Sequence, residues 1–213
     1  MKQLKQLLIL CAMLLPMAAS AQESYPSRVK LNVGIKLGVN IAQLDGKSWD
    51  AGYKTNALGG AFVRLHNARV GVQLEAFFSQ TEYITGKSFS AIEQQYFNAG
   101  KDSLSKGSFK VSYLNIPLLF QFKLISRVWI QLGPQYSGVV NVKDNDELVK
   151  DAKGLFKTGA VSGVGGVWLD LPLHINMGAR YVLGLTDSKG DNVKSTEDAW
   201  KQKSIQFHVG LTF

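Results

Sequence analysis

Few side chains of this 213-residue chain stand in a pattern that could carry out chemistry. The histidines, His66, His174 and His208, are isolated, with no H-x-H or H-E-x-x-H spacing around them. A metal site draws on clustered nitrogen, oxygen or sulfur ligands, so none is expected. Asp144-Asn-Asp146-Glu147 offers carboxylates but lacks the EF-hand spacing and its turn glycine, and reads as a solvated loop. Gly163-Val-Gly165-Gly166 resembles a phosphate-binding glycine run only in composition, since no βαβ pattern surrounds it. No G-x-S-x-G elbow occurs and no Ser/His/Asp set can be named. The expectation is a protein without a catalytic residue, metal or cofactor.

The other polar residues of note are Lys36, Gln73, Glu75, Asn115, Gln131 and Arg180. Each lies on the polar side of a segment whose other side is apolar. If those polar sides face the inside of a small closed sheet, the six residues share a lumen. Eight strands leave an interior just wide enough for side chains to fill it. Buried charge must be paired, so Glu75 is expected to offset Lys36 or Arg180 and so plug the lumen. A narrow ion path or a small-ligand pocket is the other reading. Glycines on the same sides, Gly34, Gly38, Gly71, Gly178 and Gly210, would make room for long side chains.

The elements that must position these residues are strands. Side chains alternate across a strand with period two. Lys30 to Ala42 alternates regularly, with Leu31, Val33, Ile35, Leu37, Val39 and Ile41 on one face. Similar segments run over about 57–65, 69–80, 108–123, 128–137, 156–169 and 173–185. The last, Ser204 to Phe213, places Ile205, Phe207, Val209, Leu211 and Phe213 opposite Gln206, His208 and Thr212. In the fourth segment Leu114 to Phe122 and Phe109 to Tyr113 have opposite parity, which a bulge near Tyr113 would reconcile. Most segments reach the roughly 9–11 residues a membrane-crossing strand needs. Tyr83, Trp129, Tyr136, Trp168 and Phe213 fall near strand ends, where interfacial aromatic girdles are expected.

The chain opens on a secretory pattern: Lys2 and Lys5, then an apolar core from Leu7 to Leu15, then Ala19-Ser20-Ala21 as a cleavage site. Residues 1–21 are thus expected to be removed as a signal peptide and residues 22–213 to form one domain. Cys11, the single cysteine, lies in that signal, so no disulfide or Cys-based metal site is expected after it. Losing Lys2 and Lys5 lowers the formal charge from +8 to +6. The remaining lysines form no cluster, and export argues against nucleic acid as a partner.

Connections alternate in length. Long ones, about 43–56, 81–107, 138–155 and 186–203, follow the first, third, fifth and seventh strands. Short ones (66–68, 124–127 and 170–172) follow the second, fourth and sixth. Bacterial outer-membrane barrels have short periplasmic turns and long extracellular loops. The expected fold is therefore all-β: an eight-stranded, antiparallel, up-and-down transmembrane β-barrel in the outer membrane, with both termini periplasmic.

Several segments resemble the PorT-like outer-membrane β-barrel family of Bacteroidota: Tyr113-Leu-Asn-Ile-Pro-Leu-Leu119, Leu132-Gly-Pro-Gln-Tyr136, Gly159 to Trp168, and Arg180-Tyr-Val-Leu-Gly-Leu-Thr-Asp187. The resemblance covers essentially the whole chain after the signal, and it implies a membrane barrel with no shared catalytic residues. Some members of the family are linked to protein secretion.

Three roles follow as expectations. The first is a structural or interaction protein acting through its outer loops, especially 81–107 and 138–155. The second is porin-like passive transport of small solutes. The third is a periplasmic lipocalin-like lipid binder, which would need the apolar face inside. Expected partners are outer-membrane lipid and lipopolysaccharide, the barrel-assembly machinery during insertion, with Phe213 as its signal, and a protein bound through the loops.

Overall fold

The computed structural model describes residues 29–45, 49, 52–85, 107–147, 149, 152–154, 156–188 and 200–213. The expected signal peptide, and most of the 81–107 loop, lie outside the described residues. Among the described residues eight strands form: β1 Lys30–Asp45, β2 Lys54–His66, β3 Val70–Ile84, β4 Ser108–Ile125, β5 Val128–Asp144, β6 Gly159–Asp170, β7 Ile175–Gly184 and β8 Lys201–Thr212. Each pairs antiparallel with its neighbour in sequence, and β1 also pairs with β8, which closes the barrel. Closure removes the free edges that make open sheets aggregate. Several strands run further into the long connections than the period-two pattern alone shows; β5 extends to Asp144.

Short turns join the strands at one end. Asn67 holds the β2–β3 turn, its side-chain oxygen accepting from the backbone N–H groups of Arg69 and Val70 at 2.8 and 2.9 Å. Leu173 and His174, between β6 and β7, both have positive φ, 62° and 61°, as the two central residues of a tight primed hairpin turn do. The strand ends that lead into the long connections lie at the opposite end, called here the loop end; the other is the turn end.

The alternation sorts the wall into two faces. Leu31, Val33, Ile35 and Leu37 of β1, Leu74 and Phe78 of β3, Phe122 of β4, and Phe207 and Val209 of β8 are exposed on the outside. Lys36, Gln73, Glu75, Gln131, Arg180 and His208 are buried inside. An apolar exterior of this extent, on every strand, far exceeds the patches soluble monomers carry and matches a lipid-facing band. A lipocalin-type barrel would have the reverse arrangement.

Two expectations about facing are corrected. The β4–β5 register does shift at Ser112/Tyr113, but the ladder passes from Ser112↔Asn141 to Tyr113↔Val139, so the extra residue is Val140 of β5. β4 itself keeps one parity: Phe109, Val111 and Tyr113 are buried on the same face as Asn115, Leu119 and Gln121. The change of parity in the sequence therefore needs no bulge in β4: it arises because the lumen itself is apolar at the loop end. For the same reason Tyr83, Trp129 and Trp168 are not girdle residues. They sit on inward positions and are at most 3% exposed, while Tyr136 and Phe213 do face outward.

Candidate functional site

The lumen is filled in three layers. At its centre Glu75 of β3 receives both expected cations rather than one. Arg180 Nη1 and Nη2 donate to its two oxygens at 2.7 and 2.5 Å, and Lys36 Nζ donates to Oε2. Gln73 Nε2 also donates to Glu75 at 2.5 Å, and Gln131 Oε1 accepts from Arg180 Nε at 3.0 Å. Lys36 Nζ lies 3.9 Å from the centroid of Phe77, whose ring face carries partial negative charge. Five of the six residues expected in the lumen network therefore meet in one cluster. Long side chains reach this centre because neighbouring inward positions are small: a Cβ at Gly166 would collide with the Arg180 side chain.

Asn115, the sixth, belongs to a separate cluster nearer the loop end. Its Nδ2 donates to Ser79 Oγ at 2.8 Å, and its Oδ1 accepts from Ser137 Oγ at 2.8 Å and Gln135 Nε2 at 3.2 Å. These are neutral groups satisfying one another, and the charged centre lies below them.

From Glu75 a hydrogen-bonded chain runs to the turn end. Gln121 Nε2 donates to Gln73 Oε1 at 2.7 Å, and Arg64 Nε donates to Gln121 Oε1 at 2.6 Å. Arg64 Nη1 then meets Asp170 Oδ1 at 2.9 Å. The Asp170 carboxylate also accepts the indole N–H groups of Trp129 and Trp168 at 2.8 and 2.7 Å. The Arg64 guanidinium lies over the Trp129 ring, 4.5 Å from its centroid, and Trp168 packs edge-on against Phe62. His66 closes the rim beside Trp129, with its Nε2 2.8 Å from Asn32 Oδ1. Arg64, Gln121, Trp129, Trp168 and Asp170 were missed as site residues. Parity could have found Gln121, two positions on from Leu119 along the Asn115 face.

The loop end carries an aromatic plug. Leu44, Tyr83, Phe109, Val111 and Tyr113 from the strands pack with Trp49, Val149, Phe156 and Trp200 from three of the long connections. Trp49 stands edge-on to Trp200 at 5.0 Å and to Phe109 at 5.7 Å between centroids. Edge-to-face contacts at such separations are the favoured aromatic geometry. The Tyr83 and Tyr113 hydroxyls lie 3.3 Å apart within it.

No metal-holding group of His, Cys, Asp or Glu occurs among the described residues. The Asp144–Glu147 segment is a capped turn: Asp144 accepts from the Asp146 and Val149 N–H groups at 3.1 and 2.9 Å. Of the histidines, His66 ends β2, His174 sits in the β6–β7 turn, and His208 is buried in the lumen against Trp168 at 5.4 Å.

No curated protein matches the chain. Among solved structures it is similar to Neisserial surface protein A, at 13% identity and a TM-score of 0.46, covering 87% of this chain and 99% of that one. It is similar to the outer membrane protein OprG from Pseudomonas aeruginosa, at 12% identity and a TM-score of 0.46, covering 89% and 99%. Ail, the attachment invasion locus protein of Yersinia pestis, is 15% identical with a TM-score of 0.40, covering 85% and 98%. A family model described as "outer membrane protein beta-barrel domain" matches residues 20–190. With that match over most of its length and a closed eight-stranded barrel in its structure, the chain belongs to the outer membrane protein beta-barrel domain family and is an outer-membrane β-barrel protein.

Proposed function

We propose that this protein is a closed, non-conducting barrel that serves as a rigid base for its long connections, which act outside the cell as an interaction surface. The observation that carries this reading is the double seal: the aromatic plug at the loop end, and Trp129, Trp168 and the Arg64–Asp170 pair at the turn end, with the Glu75 cluster between them. A lumen filled at three levels argues against a transport path and supports a role for the connections. In this reading the short turns and both termini face the periplasm, and residues 1–21 are a cleaved export signal. Outer-membrane lipid and lipopolysaccharide surround the wall, and the barrel-assembly machinery inserts it with Phe213 as a recognition signal. The partner met by the loops is a protein, and no catalysis is involved. The motifs at Tyr113–Leu119 and Arg180–Asp187 support a place in the PorT-like group.

Reconstitution into planar lipid bilayers tests the reading. The expected result is a folded protein with no discrete conductance steps in molar potassium chloride. Reproducible single-channel steps would overturn it in favour of porin-like transport.

A further inference from the structure

We propose that the outer wall of the barrel carries a seat for one anionic phospholipid, with an acyl chain in an apolar groove across β6, β7, β8 and β1 and the phosphate at the basic β4–β5 turn. The groove, of about 550 Å³, starts at Val128, the first residue of β5. Its bank nearer the turn end is a row that the strand register sets side by side: Leu169, Met177, Val209 and Leu37. The other bank lies two residues on toward the loop end along each strand, with Ala179 and Phe207 at its middle. Leu37, Met177, Phe207 and Val209 are all exposed, so the groove is on the outside. Leu169 adjoins the turn-end residue of β6, whereas Leu37 is well inside β1, so the groove climbs from the rim toward the middle of the wall.

Shape and surroundings select the occupant. Neighbouring strands lie about 4.8 Å apart, so the path from β5 to β1 covers roughly 19 Å of wall. That exceeds one leaflet's half of a hydrocarbon core about 30 Å thick. The banks, two residues apart on each strand, are separated by about 6.7 Å. Ala179, the smallest side chain on either bank, leaves the slot open at its middle. Such a slot admits a single hydrocarbon chain and not the convex wall of a second barrel. It is continuous with the lipid-facing band, so hydrocarbon is what surrounds it.

Charge supplies the second, independent observation. Arg127 directly precedes Val128, where the groove begins, and Lys30, Arg69, Lys123 and Arg127 are all exposed at the turn end. Arg69 and Lys123 adjoin across strands, the Lys123 N–H donating to the Arg69 carbonyl at 2.8 Å. Among the described residues Asp170 is the one carboxylate side chain at this end, and Arg64, Trp129 and Trp168 engage it. The exposed cations are thus left for an anion from outside. A phosphodiester offers one negative charge and two oxygens that a guanidinium can grip in parallel. Basic sites flanking the membrane hold acidic phospholipids in this way. A phosphate at Arg127 and an acyl chain leading away from Val128 are two ends of one molecule. The seat rests on the orientation proposed above only for which leaflet supplies the lipid, and its test in detergent is independent of orientation and conductance.

The barrel is refolded in detergent with equal amounts of phosphatidylglycerol and phosphatidylcholine and analysed by native mass spectrometry. The expected result is one phosphatidylglycerol retained per barrel after phosphatidylcholine has been stripped. Ala179→Phe fills the slot and should abolish that retention. Arg127→Gln should lower it about fivefold, the effect of one basic side chain at an anionic lipid surface. Both positions lie outside the lumen, and either variant serves if the other does not fold. Leu118→Phe, on β4, should leave retention unchanged. With dibrominated acyl chains, anomalous scattering from crystals should place bromine between Met177 and Phe207. Equal retention of the two lipids by the wild type overturns the seat. So does undiminished retention in either groove variant, an equal loss in Leu118→Phe, or bromine found only elsewhere on the wall.

Discussion

Glu75 on β3 and Arg180 on β7 meet inside the lumen through two near-parallel hydrogen bonds of 2.7 and 2.5 Å, a fork-to-fork pairing that also leaves Glu75 able to accept from Lys36 and Gln73. Strands from different parts of the wall are thereby tied at one carboxylate. Glu75→Gln keeps the shape and removes the charge that two buried cations share. Breaking a buried pair from one side costs about 3–5 kcal/mol. Urea unfolding in detergent micelles should show that loss as a lower midpoint, and Glu75→Gln combined with Arg180→Gln should recover part of it. An unchanged midpoint for Glu75→Gln would mean that the cluster is not holding the strands.

At the turn end one carboxylate serves three donors. Asp170→Ala leaves Arg64 Nη1 and the indole N–H groups of Trp129 and Trp168 without it. Each donor left buried and unpaired costs on the order of 1–3 kcal/mol, toward the low end here because the Asp170 side chain is 38% exposed and water can take its place. The same urea titration measures it. The emission of Trp129 and Trp168 should shift to the red, a change that Asp144→Ala should not produce.

Gly178 is small for a reason: a Cβ there would run into the His208 ring. Gly178→Ala should destabilise by about 1–3 kcal/mol through overpacking. Gly178→Ala with His208→Ser should be more stable than Gly178→Ala alone, because contacting sites are not additive. Purely additive effects would show that the ring does not need that space.

Trp200 is fully buried in the loop-end plug although it lies just before β8. Trp200→Ala should cost about 3–5 kcal/mol, the usual range for emptying a large aromatic site. Tryptic cleavage within 145–158 should quicken, since Phe156 rests on the Trp200 ring at 6.0 Å. Unaltered cleavage would separate the two connections energetically.

The strands were legible in the sequence because lipid and lumen impose opposite polarities on alternate residues. Lys36, Gln73, Glu75, Gln131 and Arg180 could be placed together on that ground alone. The rule that apolar residues face lipid fails where the interior is itself apolar. Phe109, Val111 and Tyr113 therefore looked like outward residues in need of a bulge, and Trp129 and Trp168 like girdle residues. Continuing the parity of Gln131 back to Trp129 would have placed that indole inside. The turn-end chain from Gln121 through Arg64 to Asp170 spans three strands distant in sequence, and only the closed register brings those residues into reach.

The aromatic seat at the loop end has an evolutionary consequence. Trp49, Phe156 and Trp200 each pin one connection to the same patch of barrel interior. Each connection is thereby divided into a root, which must keep its anchor, and a crown, which need not. Selection can rewrite, lengthen or shorten a crown without a compensating change in the wall, whereas a lost root disturbs two other connections at once. Diversification in such a protein is expected to be modular above the seat and concerted at it.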